Sequence, residues 1–244
     1  MFSNKIICIL GPTCSGKTDL SLSISKKYNI EIISVDAYMI YKNMTIGTDK
    51  PTPYYLNKIK HHFIDILEPT ETYSVFKFCY DAYKILKLCW RNNSIPIFVG
   101  GNLMYMWVFQ NFFLKHNKLD KKFTFLNIGL LPTSKDILLK NIETRLSHML
   151  KNKFIDEVKN LITQYKMNMN NNAMKAIGYK ELYLYLNNKI NIKTALDQII
   201  RSTFNLSNKQ ILWLKKWHNM FYFNLIKTSN ANTIYKLINN YLNK

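Results

Sequence analysis

Acidic residues are scarce in this chain. Its 244 residues hold 15 Asp and Glu against 34 Lys and Arg, a formal net charge of +19. A surplus of that size favours a polyanionic partner, most simply nucleic acid. Arginine is scarcer still: Arg91, Arg145 and Arg201 are the only three, while Lys, Asn, Ile, Tyr and Phe abound. Drift toward A/T-rich codons gives the same composition, so the charge alone leaves both origins open. Cys8, Cys14, Cys79 and Cys89 make no C-x-x-C pair and no zinc spacing, which argues against a disulfide framework or a zinc site. A reducing compartment is expected, with Cys8, Cys79 and Cys89 as core residues and Cys14 filling a loop. An uninterrupted membrane-length apolar run is also missing. Asn92 to Leu114 carries no charge, but Pro96, Gly100, Gly101, Asn102, Gln110 and Asn111 break it into strand, turn and helix. The apolar stretch near the first residue is too brief for a secretory leader. The chain is therefore expected to be cytoplasmic, with no membrane contact. Apolar residues make up 48% of it, enough for a sizeable core, and residues 1–244 suit one domain.

What is present begins with GPTCSGKT, residues Gly11, Pro12, Thr13, Cys14, Ser15, Gly16, Lys17 and Thr18. The spacing G-x-x-x-x-G-K-[ST] is a phosphate-binding loop when a strand leads in and a helix leads out. KIICIL (Lys5 to Leu10) is an apolar run of strand length, and Thr18 to Tyr28 carries Leu20, Ile24 and Lys27 at helical spacing. Backbone N–H groups of such a loop form a nest for a diphosphate. Lys17 adds a point charge, and the Thr18 hydroxyl suits Mg²⁺.

Further strands are expected at Ile30–Asp36, Phe63–Leu67, Ile95–Gly101 and Phe123–Leu130, with a last one in FYFNLI from Phe221. Ser74 is a plausible N-cap for a helix whose Phe76, Tyr80, Tyr83, Leu86 and Trp90 share a face. Helices are expected over Ser134–Leu150, Asn152–Tyr165, Ala173–Leu186, Thr194–Trp217 and Thr233–Leu242, with Met167–Asn172 as a loop. The alternation predicts an α/β fold: a P-loop NTPase-like, mostly parallel sheet flanked by helices, with a helical C-terminal half. In such sheets the ligand lies beyond the carboxyl ends of the strands. Leu10/Gly11, Asp36 and Gly100/Gly101 all fall there.

The residues alone leave two chemistries open. A kinase would pass a phosphoryl group on, with Lys17, Arg145 and Mg²⁺ neutralising its charge. Alternatively a bound diphosphate leaves, and the nest, Lys17 and an arginine oppose the charge growing on its oxygens. Asp36 suits a general base for an attacking amine; an Mg²⁺ ligand and a helix N-cap are its competing roles. Arg145 sits in an apolar-periodic helix, where pairing with Glu143 or Asp136 competes with a role in the site.

Beyond the loop, four segments follow in a familiar order: SVDAYMIYKNMTIGTDKP (Ser34 to Pro51), HHFIDILEP (His61 to Pro69), IPIFVGGNLMY (Ile95 to Tyr105) and AIGYKEL (Ala176 to Leu182). That order resembles tRNA dimethylallyltransferases, and KQILWLKKW (Lys209 to Trp217) resembles the family's basic, tryptophan-containing helix. The resemblance spans residues 5–114 and 126–217. It implies transfer of a dimethylallyl group from dimethylallyl diphosphate to the N6 amine of the adenosine 3′ to a tRNA anticodon, with Mg²⁺. By the same resemblance, residues Gly11 to Thr18 hold the diphosphate, Thr18 the metal, Arg145 contacts the diphosphate and Asp36 is the general base. Asp36, Ala37, Tyr38 and Met39 would meet the target nucleotide. Asn102 and the segment Lys175, Ala176, Ile177, Gly178, Tyr179 and Lys180 would contact tRNA, although Gly178-Tyr179 also reads as a helix cap. The adenosine must turn out of its stack to reach the site.

The chain departs from the family pattern at three places. Asn102 stands where the family usually has Thr, and Phe204 and Asn208 stand where it has basic residues. The family's helical insertion is reduced to a connection near 115–126, about a dozen residues and too few for a domain. A monomer is expected. Prenyl transfer to a free adenine nucleotide, a kinase of a small metabolite and an RNA-binding relic are the competing functions.

Overall fold

The computed structural model describes residues 4–119, 122–224 and 228–243. Its centre is a six-stranded sheet of β1 (Lys5–Leu10), β2 (Ile30–Val35), β3 (His61–His62), β4 (Ile95–Gly100), β5 (Thr124–Leu130) and β6 (Met220–Phe223), in the order β3-β2-β4-β1-β5-β6. Every pairing is parallel. A parallel sheet needs cover on both faces, and the near-continuous apolar strands supply it with side chains. Along β1, Ile6, Cys8 and Leu10 point into one core and Ile7 and Ile9 into the other. The period of two that separates them is the strand's own.

One face is covered by α3 (Val75–Arg91) and by α4 (Leu103–Trp107), which runs on through a π-helical turn, Val108–Phe113, into α5 (Leu114–His116). On the other face lie α1 (Lys17–Ser25) and α10 (Thr228–Leu242). A third core joins α6 (Lys135–Lys151), α7 (Phe154–Gln164), α8 (Tyr179–Leu186) and α9 (Ile192–Lys215) to the loop after β2. A short helix, α2 (Pro53–Lys58), lies before β3. Ser74, Ser134 and Asn191 cap α3, α6 and α9, each accepting a hydrogen bond from the N–H three residues on. Cys8, Cys79 and Cys89 are buried free thiols and Cys14 is half-buried. No helix among the described residues is long and apolar enough to cross a membrane.

Several expected elements come out differently. Phe63–Leu67 is not a strand: the third strand is His61–His62, and only Leu67 bridges, to Tyr41. Phe63 and Asp65 have positive φ, 64° and 54°, which breaks an extended run. The buried face of α3 is Phe78, Cys79, Ala82, Leu86 and Cys89, while Phe76 and Tyr80 stand exposed. Of the expected face, Leu86 is buried and Tyr83 and Trp90 pack against the core, so only Phe76 and Tyr80 are displaced, by Phe78 and the small residues Cys79 and Ala82. Ala173–Leu186 is a 3₁₀ turn, Ala173–Lys175, then a break, then α8. Gly178, at φ 93°, makes that break. The last strand starts at Met220 and ends at Phe223; Leu225 and Ile226 lie outside the described residues.

Candidate active site

The carboxyl ends of β1, β2, β4 and β5 converge, and Gly11–Thr18 leaves from the first of them. Gly11 is there for space: a Cβ would sit 2.7 Å from both the Leu130 carbonyl oxygen and Ser15 Oγ. Its N–H bonds the Gly100 carbonyl at 3.3 Å. Cys14 and Gly16 take left-handed φ values of 58° and 82°, curling the loop into the start of α1. Unlike α3, α6 and α9, α1 has no side-chain cap. Its first N–H groups therefore face the loop's hollow with the helix dipole behind them, an arrangement that favours an anion.

Lys17 folds back over that hollow, its Nζ donating to the Pro12 carbonyl at 2.5 Å and to Ser15 Oγ at 3.5 Å. Burial, reinforced by the neighbouring Arg145, lowers its pKa to about 8, against the opposing pull of Cys14 and Asp36. Loop, arginine and carboxylate thus share one field. Arg145 reaches the site from α6, donating through Nη1 to the Thr13 hydroxyl. Its Nε lies 3.3 Å from Asp49 Oδ2, within ion-pair range. That N–H is nonetheless buried without a hydrogen bond among the described residues. A buried guanidinium donor left open beside a phosphate loop is suited to a phosphate oxygen. Arg145 pairs with neither Glu143 nor Asp136; its acid comes from the loop after β2.

Asp36 follows β2 directly. Its Oδ1 accepts from the N–H of Tyr38 at 2.8 Å and of Met39 at 3.1 Å, closing a turn rather than capping a helix. Oδ2 carries no hydrogen bond among the described residues and remains available as a base. Burial and the nearby Asp36 charge raise the Tyr38 hydroxyl's pKa. Ala37, Tyr38 and Met39 are half-buried at the same edge. Asn102 caps α4 through Oδ1, 3.3 Å from the Tyr105 N–H, and its own N–H bonds the Val35 carbonyl. Thr18 is exposed and its hydroxyl is uncommitted among the described residues, so it fits a cation ligand next to a bound diphosphate.

The segment 175–180 divides by burial. Ala176, Gly178 and Tyr179 are enclosed, Ile177 is half-buried, and Lys175 and Lys180 are exposed. Tyr179 is wholly buried, its hydroxyl donating to Glu157 Oε1 at 2.6 Å. In this structure the enclosed side chains offer no surface to RNA, and only the lysines and part of Ile177 do. On α9, Lys209, Trp213 and Lys215 are exposed, as is Lys216 just past its end, while Trp217 packs in part against the core around β1.

Two residues escaped the sequence reading. Gln210 bridges the site, accepting from the Thr13 N–H at 3.2 Å and donating to the Gly101 carbonyl at 2.9 Å. It lies inside KQILWLKKW, but one amide among lysines and tryptophans gives no spacing signal. Glu157, in the first turn of α7, gathers the loop that carries Asp49; an acid there is ordinary helix chemistry and flags nothing.

A parallel sheet whose first strand runs through G-x-x-x-x-G-K-T into an uncapped helix, with a lysine, an arginine and a carboxylate at the same strand ends, defines a P-loop-type α/β protein. More narrowly, the chain belongs to the IPP transferase family, whose model matches residues 39–115 and 108–217. It is 34% identical over 295 residues to a tRNA dimethylallyltransferase of Thermosipho melanesiensis, covering 96% of this chain and 97% of that one. Against a tRNA dimethylallyltransferase of Buchnera aphidicola it is 31% identical over 302 residues, covering 95% and 96%. Its fold is similar to the full-length tRNA isopentenylpyrophosphate transferase of Bacillus halodurans, with a TM-score of 0.88 at 26% identity, covering 98% of this chain and 97% of that one.

Proposed function

We propose that this chain transfers a dimethylallyl group from dimethylallyl diphosphate to the N6 amine of the adenosine 3′ to the anticodon in tRNA, releasing diphosphate. The observation that carries the reading is the meeting of Lys17, Arg145 and Asp36 around one open phosphate loop. Two cations and a helix N-terminus suit a group that departs as an anion, and a carboxylate with a free oxygen suits the deprotonation of an amine. In the step, the N6 nitrogen forms a bond to the allylic carbon, and the bond from that carbon to the diphosphate oxygen breaks. Its electron pair leaves with diphosphate, held by the loop N–H groups, Lys17 and Arg145. The amine proton goes to Asp36 Oδ2, while Oδ1 stays tied to its turn. Mg²⁺, held through the Thr18 hydroxyl, would supply further charge neutralisation on the diphosphate.

The acceptor's phosphates would meet a surface carrying the +19 surplus. Lys175 and Lys180 are exposed on the segment read as tRNA-contacting, and they suit that role. The proposal includes a single domain acting as a monomer in the cytoplasm, with the family's insertion reduced to the connection near 115–126. The 295 aligned positions against the Thermosipho melanesiensis protein exceed the 244 residues here, which supports a missing segment. So do the two matched stretches of the family model, which meet at 108–115.

The test is incubation of the purified protein with Mg²⁺ and dimethylallyl diphosphate, with unmodified tRNA and separately with AMP and ATP, reading nucleosides by mass spectrometry. A prenyl mass on adenosine from tRNA alone is expected. Addition to free nucleotide alone would move the acceptor, and no addition anywhere, with ATP consumed and its phosphoryl group found on a small metabolite, would make the protein a kinase.

A further inference from the structure

The loop after β2 is fastened at both ends of its working part. Glu157 Oε2 accepts from the N–H of Thr45 at 2.9 Å and of Ile46 at 2.7 Å. Its Oε1 accepts from the Gly47 N–H at 3.1 Å and the Tyr179 hydroxyl at 2.6 Å. Both oxygens of one carboxylate are thus spent on three consecutive backbone donors and a buried phenol. Charge-assisted bonds of this kind are the stronger ones. Gly47 is pressed so close that a Cβ would lie 2.1 Å from the Phe154 ring and 2.6 Å from that of Tyr179. The loop then folds on itself through Asp49 N–H to the Ile46 carbonyl and Lys50 N–H to the Thr45 carbonyl, at 3.0 and 3.1 Å. Two residues beyond the clamp, Asp49 has a φ of 60° and holds its carboxylate 3.3 Å from Arg145 Nε. Arg145 in turn bonds Thr13.

We propose that Glu157 is a positioning residue: its carboxylate fixes the 45–49 loop so that Asp49 sets Arg145 against the phosphate loop. An exposed ion pair on a free loop is worth little, because ordering two mobile side chains offsets the attraction. Asp49 is 62% exposed, so its hold on Arg145 depends on a backbone already fixed. Glu157 fixes it with both carboxylate oxygens already taken by the loop and Tyr179. Among the described residues Arg145 keeps its Nε free of a hydrogen bond and is therefore orientated but not consumed. The proposal rests on the transferase reading for its kinetics, but not for its binding readout.

The experiment compares wild type, Glu157→Gln, Asp49→Asn and the double variant, by tRNA prenylation kinetics and by calorimetric binding of inorganic diphosphate with Mg²⁺. Each single variant is expected to raise the donor KM and the diphosphate Kd roughly tenfold with the tRNA KM unchanged. The double should be no worse than the poorer single, since both break one path. Glu157→Asp should restore part of the loss. Asp49→Asn, being exposed, should unfold at the wild-type temperature, so it carries the test if Glu157→Gln folds poorly. Unchanged diphosphate affinity in Asp49→Asn, or additive losses in the double, would overturn the positioning role. Loss of diphosphate affinity in variants of a protein that prenylates nothing would retain it and refute the transferase instead.

Discussion

The backbone N–H of Thr13 donates a 3.2 Å hydrogen bond to Oε1 of Gln210, 197 positions further along the chain. The other end of the same amide holds the Gly101 carbonyl, so one side chain ties the phosphate loop to the turn after β4. Gly101 leaves it room: a Cβ there would come within 2.5 Å of Gln210 Nε2. Gln210→Ala should loosen the loop and raise the donor KM roughly tenfold, a change of about 1.4 kcal/mol. Steady-state kinetics with donor varied would show it, and an unchanged KM would make the bridge ornamental to binding.

Asp36 Oδ1 closes a turn and its Oδ2 is the proposed base, so a variant should separate the two. Asp36→Asn keeps an Oδ1 acceptor for Tyr38 and Met39 but loses the base, so transfer should fall by roughly 10²–10⁴ while the fold stays. Affinity for tRNA, measured by filter binding, should stay within a few-fold, about 1 kcal/mol or less. Parallel loss of affinity and turnover would instead make Asp36 a structural anchor of the nucleotide-facing turn.

With Lys17 as a proposed ligand of the diphosphate, donor binding should depend on pH. In the free protein its pKa is lowered to about 8, first by burial and then by Arg145. Below that pH the ammonium is charged and should attract the diphosphate; as pH rises through it, the charge is lost and the affinity should fall with it. Calorimetry between pH 6.5 and 9.5 should show diphosphate affinity declining above about 8. Arg145→Gln removes a repelling cation and should move the decline to higher pH. A decline that stays in place would mean that Arg145 plays no part in setting it.

At the opposite end of the sheet, Glu31 is 5% exposed and bonded to Asn92, Ser94 and His62, with Lys60 3.5 Å away. Burial raises its pKa, but the three hydrogen bonds and Lys60 together outweigh it and bring the carboxyl down to about 2. A depressed carboxylate stabilises the fold above its unfolded pKa, and that stability drains away as pH falls from there through the folded value. The contribution is about 3 kcal/mol at neutral pH. Thermal unfolding between pH 2 and 6 should steepen in that window for wild type and flatten for Glu31→Gln. Equal slopes would remove Glu31 from the acid response.

Strands and their punctuation were legible because they are local. KIICIL, IEIISV and IPIFVG are β-branched or apolar runs, and glycines end the first and third in the places where the sheet opens. Ser74 and Ser134 announced their helices. Phe63–Leu67 misled because four of its five letters are apolar and two are β-branched, while two left-handed residues and only one bridge make it an irregular arm. On α3, Leu86, Tyr83 and Trp90 pack as expected, but Phe76 and Tyr80 misled for a different reason. Hydrophobicity ranks Phe76 and Tyr80 above Cys79 and Ala82, but close helix–sheet packing favours the small side chains.

The sequence by itself determined the phosphate loop, the parallel sheet behind it, the basic balance and the family, since each is written in contiguous letters or in their order. Tertiary structure decided which side chains work together. Arg145 comes to Thr13 across 132 positions and Gln210 across 197. Glu157 reaches more than 100 positions back to the loop that carries Asp49. No spacing encodes such meetings, because they depend on how α6, α7 and α9 pack, and packing is settled by the whole core at once. It also turned Tyr179 from a surface residue into an enclosed hydrogen-bond donor. A short stretch of residues specifies what chemistry is available; the fold specifies which atoms of it face one another.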